Sequence, residues 1–137
     1  MSQWTHVAGV IRYDALDILP NREFAPFHPK DVLGRQSYWD DQELGDSFLP
    51  HGSEGSLHYH VVDTHHEHDS CSLSAFQVIF WGDLRDYDNF DGIIQYFNRI
   101  VTDAWIRAGC FTVEVDGLGS KSFVYRDGLW VECSFNE

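Results

Sequence analysis

The chain has 137 residues, the size of one domain, and carries 22 Asp and Glu against nine Lys and Arg, a formal net charge of −13. A hydrophobic fraction of 43% and an aromatic fraction of 15% exclude a disordered chain. The shortage of Lys and Arg argues against a broad surface for nucleic-acid phosphates and against binding to an anionic membrane. We therefore expect a single domain over residues 1–137, with no direct nucleic-acid or membrane partner.

The sequence predicts a cytoplasmic location. The first residues, Met-Ser-Gln-Trp-Thr-His, lack the basic and apolar regions of a signal peptide. The longest apolar stretch without charge or proline covers residues 73–82, short of the ~20 residues that a membrane-spanning helix needs. The three cysteines match no metal-binding spacing, and their odd number argues against a disulfide framework.

The first predicted strand covers residues 4–13, because Val7, Ile11 and Tyr13 recur on one face of an extended chain. Residues 14–55 hold all four prolines and predict a long, irregular loop-rich insertion after this strand. The aromatic residues within it indicate that it packs on the domain.

A β-hairpin with a histidine-rich tip is predicted next. Its strands cover residues 56–63 and 72–81, and a polar turn covers residues 64–70. His58 and His60 share one face of the first of these strands.

The helix prediction is the clearest in the chain and covers residues 88–105. Arg107 and Gly109 suit its exit. Its apolar residues form one broad stripe: Phe90, Ile93, Ile94, Phe97, Ile100, Val101, Ala104 and Trp105.

Three more strands are predicted over residues 110–116, 121–126 and 129–135, and the last two are joined by an Asp127-Gly128 turn. The fold class is therefore α+β. It is a mainly antiparallel β-sheet with one long amphipathic helix packed on one face and a long irregular loop after strand 1.

No catalytic motif is complete, so the sequence predicts a non-enzymatic protein. Residues 52–56 (Gly-Ser-Glu-Gly-Ser) are out of register with the Gly-x-Ser-x-Gly nucleophile turn. Residues 117–122 lack the glycine that precedes the lysine of a phosphate loop.

Histidines concentrate in the predicted hairpin. Imidazole is a common ligand of zinc, nickel and copper, which makes the hairpin a candidate transition-metal site. A solvated hairpin tip explains the same residues, because no zinc-type spacing is present and a tip encloses four ligands poorly. The candidate ligands are His58, His60, His65, His66 and His68.

Acidic residues form two clusters next to aromatic residues. Acids interleaved with aromatics suit binding to a basic surface on another protein, since charge steers the encounter and rings anchor it. An ordinary solubilising surface is the alternative. The candidate partner-binding residues are Tyr38, Trp39, Asp40, Asp41 and Glu43 in the insertion, with Asp83, Asp86 and Asp88 before the helix.

Three stretches carry a family resemblance: residues 4–14 (WTHVAGVIRYD), residues 52–57 (GSEGSL), and residues 82–89 (GDLRDYDN) with 96–101 (YFNRIV). They resemble small uncharacterised proteins of tailed bacteriophages and prophages. The resemblance implies the cytoplasm of a bacterial host and an accessory protein that binds a host or phage protein. Some proteins of that kind block nucleic-acid-guided host defences, and the resemblance supplies no catalytic residue.

Three functions stay open at this point. The leading hypothesis is a protein-binding phage accessory or anti-defence inhibitor, whose partner is a protein with a basic surface, such as a nucleic-acid-binding defence protein. The second is a metal-binding protein or metal-dependent enzyme built on the histidine hairpin, with zinc as the candidate metal; the leading hypothesis needs no cofactor. The third is a self-assembling phage structural protein. A homodimer and a small-ligand pocket also stay open.

Overall fold

The computed structural model describes residues 3–18, 23–25, 33, 49–67, 71–88, 90–103 and 105–133. For residues 15–18, 23–25, 63–67, 71–74, 101–103 and 105 it describes the backbone alone. The described chain is mainly β, an antiparallel sheet with one short helix. Its elements are β1 (Trp4–Ile18), β2 (Glu23–Ala25), β3 (His58–Glu67), β4 (Cys71–Arg85), α1 (Asp91–Asp103), β5 (Trp105–Val115), β6 (Gly119–Arg126) and β7 (Leu129–Glu132).

Strand β1 organises the sheet. The strand order is β3-β4-β1-β5-β6-β7, and the short β2 pairs with the end of β1. β1 pairs antiparallel with β4 along all of its 15 residues and with β5 on its other side. Side chains alternate along it, so Val7 and Ile11 are buried while Ala8 and Val10 are exposed. The predicted face of β1 is therefore confirmed.

The core lies between the sheet and α1, on what we call the helix face. Phe97 of α1 stacks on Phe111 of β5 with ring centroids 3.9 Å apart, and meets Phe80 of β4 edge-on at 5.2 Å. The indole N–H of Trp130 donates a hydrogen bond to the carbonyl of Phe97 at 2.9 Å. The helix is thus fixed on the sheet by aromatic packing and by one side-chain bond from β7. We call the opposite side of the sheet the open face.

The predicted end of the first strand at residue 13 is wrong, because β1 continues to Ile18. Asp14 is accommodated in the strand because its carboxylate accepts hydrogen bonds from Arg12 at 3.3 Å and Arg107 at 3.1 Å. The predicted insertion over 14–55 therefore begins later than expected. Leu33 is its one described residue between 26 and 48; it is buried, and its carbonyl accepts a hydrogen bond from the Tyr96 hydroxyl.

The predicted turn over 64–70 is too long, because β3 pairs with β4 as far as Glu67. The predicted long helix is also wrong in length: α1 covers 13 residues, and β5 already begins at Trp105. Arg107 and Gly109 consequently lie in β5, not at a helix exit. The helix ends earlier than predicted because β5 pairs with β1, and the buried Ile106 is the register partner of Tyr13 in this pairing.

The predicted Asp127-Gly128 turn is confirmed. Both residues adopt positive φ, 51° and 84°, as a two-residue hairpin of this type requires.

Candidate protein-binding surface

One end of the open face is built around His6. Its Nδ1 lies 2.6 Å from Oδ1 of Asp83 in β4, and its Nε2 lies 3.2 Å from Oδ1 of Asp116 after β5. The hydrogen bond with the Asp83 carboxylate raises the pKa of His6, burial opposes this, and Asp116 adds a smaller increase. A protonated His6 therefore bridges a carboxylate of β4 and one that directly follows β5.

Further carboxylates converge on this end from separate parts of the chain. Glu114 is the register partner of His6 in β5. Arg85 forms an ion pair of 2.9 Å with Glu54, which comes from the segment before β3. We call this region the acidic end, and its carboxylates are those of Glu54, Asp83, Asp86, Asp88, Glu114 and Asp116.

The segment before β3 crosses the end of β4 at very close range. The amide of Ser53 donates to the Arg85 carbonyl at 2.8 Å, and the amide of Arg85 donates to the Glu54 carbonyl at 2.9 Å. A Cβ on Gly52 would lie 2.0 Å from the Arg85 carbonyl oxygen, and one on Gly55 would lie 2.1 Å from that of Asp83. Only glycine fits at both places, which gives the Gly-Ser-Glu-Gly sequence a structural role.

Asp86 continues the acidic end in a tight turn. Its φ is 57°, a left-handed conformation that Asp tolerates better than most residues. Its amide donates to the Gln3 carbonyl at 2.6 Å, and its carboxylate accepts a hydrogen bond from the Ser53 hydroxyl. The hydroxyl of Thr5 donates to the carbonyl of Tyr87, just before Asp88. These bonds hold the acidic backbone in place while the Asp86 and Asp88 side chains remain exposed.

An apolar band adjoins the acidic end on the open face. Trp81 is 46% exposed, and both Ile79 and Val10 are 43% exposed. His58 stacks on Trp81 with ring centroids 5.6 Å apart. Exposed carboxylates and an exposed indole therefore share one face, since Asp83 and Trp81 are two residues apart in β4.

The structure confirms that His58 and His60 lie on one face of β3, where their register partners are Trp81 and Ile79. His65 and His66 lie in the strand, not in the predicted turn, and His68 is outside the described residues. Within the described ranges, no group of three or more His, Cys, Asp or Glu side chains is arranged to hold a metal ion. The metal site stays a prediction.

The structure describes only one of the two predicted acidic clusters. Tyr38, Trp39, Asp40, Asp41 and Glu43 lie outside the described residues. Asp83, Asp86 and Asp88 are exposed in the structure and lie together.

The acidic end also contains residues that the sequence did not single out. Four residues of this end were not predicted from the sequence, His6, Glu54, Glu114 and Asp116, and the neighbouring Trp81 was also missed. The only available signal for Trp81 was that β4 has apolar residues at odd as well as even positions, so that both of its faces are partly apolar.

Comparisons with protein-family models, with curated proteins and with solved structures find no match to this chain. Among the described residues, no helix has the length and apolar character needed to cross a membrane. The surface itself is therefore the basis for a functional conclusion.

Proposed function

We propose that this protein is a non-enzymatic protein-binding module that engages a partner with a basic surface through its acidic end. The observation that carries the proposal is the convergence of carboxylates from the end of β4, the segment before β3 and the end of β5. Carboxylates scattered only for solubility would not need to be gathered from such distant parts of the sequence.

The exposure of these groups suits recognition. The side chains of Asp83 and Glu54 are 70% and 63% exposed, so they are accessible to Lys and Arg side chains of a partner. A concentrated negative potential accelerates encounter with a positive surface and selects against acidic proteins. Trp81 supplies an aromatic anchor beside the charges, and Trp is enriched among residues that dominate binding energy.

The narrower form of the proposal is a phage inhibitor that occupies a basic groove used by a host defence protein for nucleic acid. Its support is the family resemblance together with the fixed positions of the carboxylates, which lie on a strand end and on a hydrogen-bonded turn. In this narrower form, we propose that the protein acts in the bacterial cytoplasm.

The test is capture of partners from a bacterial lysate by three tagged proteins. The first is the wild type. The second replaces Asp83, Asp86 and Asp88 by Asn, which keeps the left-handed turn at Asp86 because Asn also tolerates it. The third is a charge-matched control, with Gln95→Lys and Asn98→Lys on the exposed side of α1 and Glu132→Gln on β7. Both variants raise the net charge by three.

We expect the wild type and the control variant to retain one stoichiometric basic protein that elutes as salt is raised. The Asn variant should lose it. Equal retention by the Asn variant would contradict a role for the acidic end, and loss in both variants would show that net charge alone is responsible.

A further inference from the structure

The open face carries an apolar band that runs across the sheet from one edge strand to the other. Antiparallel sheets with a solvated face normally present polar side chains there, whereas apolar residues on both faces are typical of sheets covered on both sides. Val10 and Ile79 lie at the centre of the band. One row in register across six strands reads His60, Ile79, Val10, Cys110, Val124 and Val131.

The two ends of this face differ in charge. The acidic end places Asp83 and Glu114 on either side of His6 in β1. Six residues further along β1, Arg12 lies near the start of β5, where its register partner is Ala108, with Arg107 of β5 and Arg126 at the end of β6. Asp14 lies between Arg12 and Arg107, and Asp127 follows Arg126. Three arginines and two carboxylates leave a positive excess in this region, which we call the arginine end.

We propose that a second copy of this chain packs face to face on the open face, as a two-fold symmetric dimer. The two-fold axis lies in the plane of the interface, perpendicular to the strands, at the level of Gly9. Rotation about this axis places the acidic end of one copy over the arginine end of the other. It places Arg12 of one copy opposite His6 and its flanking carboxylates in the other, and the reverse. Trp81 of each copy then lies opposite Ile79 of the other, and these side chains form the centre of the interface.

The area of the open face is close to the smallest that a weak dimer needs. From His6 to Arg12 the face is about 20 Å long, and across six strands it is about 24 Å wide, by standard strand dimensions. The flat footprint is about 480 Å² per copy, or roughly 1,000 Å² in total, which is the lower limit for a biological interface. Interfaces of this size are typical of weak, reversible association, so we expect the dimer to be populated within the concentration range up to about 1 mM.

The dependence of affinity on salt concentration distinguishes this dimer from the complex with a basic partner. Each copy carries a net charge of −13, so long-range repulsion opposes dimer formation at low ionic strength. At about 0.15 M salt the screening length is about 8 Å, which removes this repulsion but retains the close pairing of the two ends. Self-association should therefore strengthen as salt rises from about 0.01 M to 0.15 M, whereas binding to a basic protein should weaken.

The experiment is sedimentation velocity of the untagged full chain over a concentration series up to about 1 mM, at both salt concentrations. Ile79→Lys places a charge in the centre of the proposed interface, at a position that is solvent-exposed in the monomer. Leu118→Lys is the matched control, because Leu118 is also exposed and apolar but lies in the turn between β5 and β6.

We expect the wild type and Leu118→Lys to dimerise with equal affinity, and Ile79→Lys to dimerise at least about tenfold more weakly, because an unpaired charge would be buried. Circular dichroism of Ile79→Lys should match the wild type. A wild type that is monomeric at about 1 mM, or an Ile79→Lys variant that dimerises normally, would overturn the proposal.

A charge exchange tests the orientation of the two copies. Arg12→Glu brings like charges together at both ends of the interface and should weaken the dimer about tenfold. Adding Asp83→Arg in the same chain should restore most of the affinity, because position 83 is the register partner of His6, so each new Arg lies one strand away from the new Glu of the other copy. Failure of the second substitution to restore affinity would overturn this arrangement.

Different results would refute the dimer and the proposed function. In the dimer Trp81 and Asp83 are covered, so partner binding through them competes with dimer formation, whereas Asp86, Asp88 and Glu54 lie beyond the band and stay accessible. An Asp86→Asn, Asp88→Asn variant should weaken partner capture and keep the dimer, because Ile79, Arg12 and Asp83 are unchanged. Ile79→Lys keeps every carboxylate of the acidic end. Loss of dimerisation with intact capture would refute the dimer alone.

Discussion

Both faces of β4 carry large apolar residues, but in different environments. On the helix face, Phe76, Val78 and Phe80 are each 1% exposed. On the open face, Ile79 and Trp81 are exposed by more than 40%. Apolar side chains on the first face stabilise the fold, whereas on the second they contribute little to the monomer and are available for binding. We therefore expect apolar residues of one strand to act in two ways, in folding and in association, and measurements of stability and association distinguish the two.

The largest expected difference is between Phe97→Ala and Trp81→Ala. Phe97 is fully buried and contacts the rings of Phe111 and Phe80, so its truncation should lower the free energy of unfolding by about 3–5 kcal/mol. Trp81→Ala should lower it by about 1–2 kcal/mol, because nearly half of the residue is already in water. Denaturant unfolding at low protein concentration measures both. Equal losses would abolish the distinction between the faces.

A smaller difference is expected between two glycines of the same conformation. Gly55 and Gly128 have φ of 82° and 84°, but only Gly55 faces a close backbone, the carbonyl of Asp83. Gly128→Ala should cost about 1 kcal/mol for the left-handed conformation alone. Gly55→Ala should cost about 3 kcal/mol and weaken partner capture, because the acidic end must shift. Denaturant unfolding of both variants tests this, and similar costs would mean that the close approach has no role.

The smallest expected effect is the pH dependence due to His6. Its pKa is raised above 6.5 in the folded protein, so its stabilisation is complete below that pH and is lost as pH rises through the raised pKa. The stability difference between wild type and His6→Gln should therefore shrink as pH rises from below 6.5 through the raised pKa of His6. It should stay below about 1 kcal/mol, because the side chain is 40% exposed and solvent screens the pair.

The control is the same comparison in an Asp83→Asn, Asp116→Asn background, which lacks both carboxylate partners of His6. We expect the effect of His6→Gln on stability to vary less with pH in that background. A His6→Gln difference that grows with pH would contradict the bridge between Asp83 and Asp116.

Local patterns in the sequence predicted local structure well. Alternation identified the buried face of β1, and Asp127-Gly128 identified a hairpin turn, because both signals depend on neighbouring residues. The end of β1 and the start of β5 were missed because pairing between distant strands decides them. Asp14 stays in β1 through bonds to Arg12 and Arg107, and the latter lies 93 residues away.

The candidate surface was predictable only in part for the same reason. Asp83, Asp86 and Asp88 are close in sequence, so their density was visible. His6 meets Asp83 and Asp116 across 77 and 110 residues, and only the register of β1 with its two neighbours brings them together. The apolar band was missed because its residues are spread over six strands.

The most direct test of the difference between the faces is sedimentation velocity of two variants at adjacent positions, Val78→Ala and Ile79→Ala. Val78 is 1% exposed and Ile79 is 43% exposed. Folded Val78→Ala should dimerise like the wild type although its unfolding free energy falls by about 2 kcal/mol. Ile79→Ala should stay near wild-type stability and dimerise several-fold more weakly. Wild-type dimerisation by Ile79→Ala, or its loss in Val78→Ala alone, would contradict the assignment of the open face as the binding surface.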